Sequence, residues 1–236
     1  MKRQPGANVL EPVGKDLWTI DGPVVRAYGF PFPTRMAVVR LSSGGLWLWS
    51  PIHLDEPVRD AITSLGEPRY AVEPNKLHHL ALAEWVAQWP SLRLYAPPGL
   101  ARKRRDLRFA GELTNEAPVE WTDEIEQVPI EGNVFMTEIV FFHRPSRTCL
   151  VGDLIQKHDE RAKSAWLRWL LKVGGVSGSS GGTPRDARWS FVHRRRARES
   201  VSKVLGWAPE RLVIAHGTCS MANGAQVLRQ SFHWLQ

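Results

Sequence analysis

Long apolar runs are missing from this 236-residue chain. No stretch approaches the roughly 18 apolar residues needed to cross a bilayer. The opening MKRQPGANVLEPVG has basic residues with no apolar core behind them, so no secretory leader is expected either. Cysteine is scarce. Cys149 lies inside an apolar run and Cys219 follows Gly-Thr, with no CxxC spacing, which argues against a disulfide scaffold or a structural zinc knuckle and for a reducing, cytoplasmic compartment. Fixed-period repeats, RNP-type aromatic motifs, helix-turn-helix patterns and zinc fingers are lacking too.

What is present suits a globular α/β chain. Hydrophobic residues make up 43% and charged residues 23%, enough to build a core and too ordinary for a disordered segment. A single domain over 1–236 is expected, with its core from about residue 10 to about 231. The net charge of +7 collects at Arg102, Lys103, Arg104 and Arg105, and again at Arg194, Arg195, Arg196 and Arg198. Both runs read as solvated faces, with a nucleic-acid site as the weaker alternative.

Along the chain, LWTIDGPVV and the pair in MAVVRLSSGGLWLWSPI, hinged at Ser43–Gly45, read as antiparallel strands. In HLDEPVRDAITSLG, Val58, Ile62 and Leu65 recur at helical spacing and Gly66 closes the helix. The strand RYAV follows. In EPNKLHHLALAEWVAQWP, Asn75 is the expected N-cap, Leu77, Leu80, Ala81, Trp85 and Val86 form the buried stripe, and Pro90 stops the helix. LRLYAPP is a strand, 100–120 gives no clear pattern, and Trp121 to Val128 reads as extended. FMTEIVFFH and RTCLVGD make a hairpin turned at Arg144, Pro145 and Ser146. Two helices, DERAKSAWLRWLLKV and RRRARESVSKVLGW, flank a Gly/Ser-rich stretch, 174–187, expected to be a mobile surface loop. The strand RLVIAHG completes the alternation.

LWLWSPI, PNKLHHL, LYAPPGL, LVGDLI and IAHG, in this order and at strand ends, resemble the metallo-β-lactamase superfamily, and more narrowly its branch of unknown function numbered DUF4336. The resemblance implies an α/β (α+β) fold, a four-layer αββα sandwich, with loops that meet at one edge to hold one or two metal ions. Imidazoles and carboxylates suit a cation that activates water for attack on a carbonyl or phosphoryl centre. The family's first motif, His-x-His-x-Asp-His, is only partly matched. With its last histidine at His79, the Asp position is His78 and the earlier histidines become Pro74 and Lys76. One residue earlier, Glu73 and Asn75 take those places and Leu77 the aspartate's.

The family's middle histidine corresponds to Asn133, its bridging aspartate to Asp153 and its last histidine to His216. The resemblance therefore implies metal ligands among His78, His79, Asp153 and His216, with catalytic roles for Asp153 and His79. Glu73, Asn75 and Asn133 remain as oxygen donors or orienting groups. One divalent ion, zinc, iron or manganese, is expected, or none. Two functions stay open: a metal-dependent hydrolase of unknown substrate, and a catalytically silent relative that binds a ligand, protein or nucleic acid.

Each residue also has a plain structural role available. The histidine pair can bind backbone groups, Asp153 can cap a helix, and His216 can be a loop histidine. His53 is a minor candidate with a surface role preferred, while His143, His158 and His193 are expected to face solvent. Most of the eleven tryptophans, among them Trp18, Trp47, Trp49 and Trp85, read as packing. Trp166, Trp169 and Trp189 flank the Gly/Ser stretch and could form an apolar lip or partner surface.

Overall fold

Met36 and Val38, and Leu46 and Leu48, alternate along their strands and join one hydrophobic cluster, as the two-residue period of a pleated sheet requires. The computed structural model describes residues 9–27, 30–157 and 181–236, which divide into two compact units, 1–113 and 114–236. The expected helix DERAKSAWLRWLLKV, His158, Trp166, Trp169 and the first part of the Gly/Ser stretch lie outside the described residues.

The first unit is built on a seven-stranded sheet in sequential order: β1 (Glu11–Gly14), β2 (Leu17–Ala27), β3 (Phe30–Arg40), β4 (Leu46–Trp49), β5 (Pro68–Val72), β6 (Arg93–Ala96) and β7 (Phe109–Glu112). Strands β1 to β4 pair antiparallel and β4 to β7 parallel. The whole of β4 is buried, which explains why LWLW reads as a continuous apolar run. Helix α1 (Glu56–Leu65) follows the expected stripe: Val58 and Ile62 are buried, and Asp55 caps it by accepting the Val58 N–H at 3.0 Å.

One helix is shorter than its sequence pattern. Helix α2 spans only Leu82–Gln88, and Asn75 does not cap it. Asn75 Oδ1 instead accepts the Leu77 N–H at 2.9 Å, a side-chain turn that competes with helix formation. Leu77 and Leu80 are accordingly 37% and 70% exposed, whereas Ala81 and Trp85 are buried. Within the stretch 100–120, a short helix α3 (Leu100–Lys103) leads to the edge strand β7.

The second unit carries a four-stranded sheet ordered β11-β10-β9-β8, with β8 (Ile125–Ile130), β9 (Glu138–His143), β10 (Thr148–Val151) and β11 (Arg211–Ile214). Trp121 to Glu124 is turn, and the strand begins only at Ile125. The expected hairpin is β9 with β10, antiparallel, and β11 joins β10 in parallel. Helices α4 (Arg185–Trp189), α5 (Arg194–Gly206) and α6 (Gly224–Phe232) follow. Val201, Val204, Leu228 and Phe232 pack into one cluster with Val128, Val140 and Ile214. From Gly181 on, the stretch expected as a mobile loop is part of the fold: Gly182 bridges to Gln156, and buried Thr183 donates to the Ser231 carbonyl at 3.0 Å. His143, expected at the surface, is fully buried with Nδ1 2.7 Å from Ser146 Oγ.

The helix boundary can be checked by truncation. Ile62→Ala removes a fully buried side chain and should cost about 2–5 kcal/mol in urea unfolding, whereas Leu80→Ala should stay within about 0.5 kcal/mol. An equal loss at Leu80 would restore the longer helix.

Candidate metal centre

In the second unit, β10 and β11 pair with Val151 opposite Ile214. Asp153 and His216 each lie two residues beyond that pair, so the parallel register delivers both to the same sheet end. There His216 Nε2 lies 3.0 Å from Asp153 Oδ1, with both side chains largely buried. Gly217 fixes the histidine's exit. Its φ of 122° is a conformation that L side chains rarely adopt, and a Cβ there would run into the Lys157 carbonyl oxygen. The Lys157 carbonyl instead accepts the Thr218 N–H at 2.8 Å.

The aspartate's loop is held by a residue that the sequence motifs do not single out. Glu138, buried at the start of β9, accepts backbone N–H groups from Gly152 at 2.9 Å, Asp153 at 2.7 Å and Leu154 at 3.2 Å. The only sequence signal was an acid at the head of the otherwise apolar strand EIVFFH. A buried carboxylate is costly without such donors. Burial first, and then the Glu138 charge, push the Cys149 thiol well above its ordinary value, so this cysteine is chemically quiet.

In the first unit, Ser50 follows β4 with a φ of 53°, a left-handed conformation that costs a non-glycine residue roughly 1–3 kcal/mol. Its Oγ lies 2.7 Å from His78 Nδ1, which fixes the His78 ring. His79 has a different neighbour: Arg104 Nη1 donates to its carbonyl at 2.6 Å and lies 3.3 Å from its Nδ1. Burial, then the charges of Lys103 and Arg104, lower the His79 pKa. Arg104 is thus not part of a solvated run, since its side chain is mostly covered and binds Asp106.

Glu73, just past β5, is 2% exposed, and neither carboxylate oxygen has a hydrogen-bond partner among the described residues. Burial raises its pKa well above the ordinary carboxylate value, opposed by the Arg104 charge. Asn75 is fully buried. Asn133 Oδ1 accepts from Phe135 N–H at 2.8 Å and Met136 N–H at 3.1 Å, so it braces its own loop. His53 is exposed and 2.9 Å from Glu84. His193 is exposed as well.

Glu73 sets a pH dependence in metal-free protein. With its folded pKa raised, the native state binds more protons at this group than the unfolded chain does, so the Glu73 contribution to stability is greatest at low pH and falls as pH rises above the unfolded value. The fall approaches about 1.4 kcal/mol per pH unit until the raised pKa is reached. Glu73→Gln should flatten this slope and be the more stable protein at about pH 8; a slope as steep in the variant would contradict it.

No curated protein matches the sequence. Solved structures do match in fold. A metallo-β-lactamase from Hirschia baltica is 12% identical, with 96% of each chain covered and a TM-score of 0.66. Another, from Pontibacter korlensis, is 12% identical over 96% of this chain and 98% of its own, at 0.62. The metallo-β-lactamase FIM-1 from Pseudomonas aeruginosa in its mono-zinc form is 12% identical over 94% of each chain, at 0.60. The protein thus has the metallo-β-lactamase fold. Residues 15–166 match the model of the domain of unknown function DUF4336, more than half of the chain, and the chain belongs to that family.

Proposed function

We propose that the two units work as one metal-dependent hydrolase domain with a mononuclear site, in which His78, Asp153 and His216 hold one zinc, iron or manganese ion. The observation that carries this is the Asp153–His216 contact at 3.0 Å, made by two residues that the parallel register brings to one strand end. Two imidazoles and a carboxylate are a donor set that fits a borderline divalent cation with an open position. Such an ion would lower the pKa of a water toward neutrality and polarise a carbonyl or phosphoryl oxygen. His78 is the better third ligand because Ser50 orients it, whereas Arg104 sits on His79 and disfavours a second cation there. This selects the motif register that places Glu73 and Asn75 at the earlier histidine positions.

The chain's own residues supply the rest. Glu138 presents Asp153 by fixing three consecutive backbone N–H groups. By the resemblance, Asn133 corresponds to the family's middle histidine, and an amide that already accepts two N–H groups of its own loop supports a site for one ion. The mono-zinc form of the Pseudomonas aeruginosa enzyme is a precedent for single-ion occupancy on this fold. Esters, thioesters and phosphoesters are the substrate classes that this chemistry reaches.

Elemental analysis decides between this reading and a catalytically silent binding module. Wild-type protein should carry about one ion per chain, and the Asp153→Ala/His216→Ala double variant, its fold confirmed by circular dichroism, should carry none. Absence of metal from both proteins after reconstitution would establish the silent reading.

A further inference from the structure

Residues 132–135 and 189–193 of the second unit run side by side. Gly132 has a φ of 90°, and a Cβ there would meet the His193 carbonyl oxygen. That close approach lets His193 N–H donate to the Gly132 carbonyl at 3.1 Å and Val134 N–H donate to the Ser190 carbonyl at 3.0 Å, with Asn133 bridged to Phe191. Phe191 is buried. Four neighbouring apolar side chains are not: Val134 is 67% exposed, Phe135 52%, Trp189 80% and Val192 62%. A single exposed apolar residue needs no explanation, but four on two segments joined by backbone hydrogen bonds concentrate apolar surface in one small region.

The patch is bordered by cations. Arg194, Arg195 and Arg196 are exposed in the first turn of α5, which contains no acid. Aligned backbone N–H groups already make that helix end positive, so three arginines there oppose the helix's own field. Arg185 and Arg198 are also exposed. Among the described residues, the acids nearby are Glu199, paired with Arg195 at 3.1 Å, the exposed Glu131, and Asp186, which shares α4 with Arg185 and Arg188. The local charge is therefore positive.

We propose that this surface docks on a phospholipid bilayer carrying anionic headgroups. Trp189 and Phe135 enter the interface with Val134 and Val192, and Arg194 and Arg196 meet lipid phosphates. Tryptophan favours the headgroup level, and apolar side chains next to arginines give the two-part attraction that peripheral membrane binding needs. A nucleic acid fits less well, because the two valines offer no face for base stacking. The proposal does not depend on the metal site.

Flotation of the full chain with vesicles tests it, comparing phosphatidylcholine alone with phosphatidylcholine containing about a quarter phosphatidylglycerol. The protein should float with the anionic vesicles and partition about tenfold less with the neutral ones. The variants Phe135→Ser/Trp189→Ser and Arg194→Gln/Arg196→Gln, all at exposed positions, should each lose about tenfold on anionic vesicles. No flotation with anionic vesicles overturns the proposal. So does undiminished flotation of Phe135→Ser/Trp189→Ser, which would mean nonspecific adsorption of a basic chain. Binding of a single-stranded oligonucleotide that this variant abolishes, without vesicle binding, would assign the patch to nucleic acid.

Discussion

Asp153 can act as a donor only if the loop that carries it is held still, and a single buried carboxylate does this. Glu138 gathers the N–H groups of Gly152, Asp153 and Leu154, so the turn after β10 cannot rotate without stranding three donors and a charge in the interior. Asp153 is thereby set against His216, whose own loop is fixed by the close approach of Gly217 to Lys157. The candidate centre is two strand ends in register plus two devices that stop those ends from moving.

The fold was legible where hydrophobic period and turn chemistry agreed. The strands β2 to β6 and β8 to β11, α1 with its Asp55 and Gly66 ends, and α5 all stand within a few residues of their sequence patterns. It was misread where side-chain hydrogen bonds compete with periodicity. Asn75 carries the marks of a helix cap, yet its oxygen closes a turn onto Leu77, and the apparent apolar stripe through Leu77 and Leu80 faces outward. His143 was misplaced because a hairpin turn suggests solvent, whereas Ser146 provides a buried partner.

The candidate site was half legible. Asp153 and His216 follow from the Gly-Asp and His-Gly endings of two strands, since a parallel pair delivers residues at matched offsets to one edge. Sequence does not distinguish His78 from His79, because what sets their surroundings apart is Ser50 beside the one and Arg104 beside the other, both from elsewhere in the chain. Glu138 was invisible for the same reason: its function is to bind backbone groups, and backbone groups leave no motif.

Glu138, by holding the Asp153 loop, should tune the proposed metal site. Competition with a zinc chelator measures it directly, comparing wild type with Glu138→Gln at matched circular dichroism spectra. Binding should be about 10–100-fold weaker in the variant, the loss expected when a group orienting a ligand is changed. Equal affinity in the two proteins would contradict it.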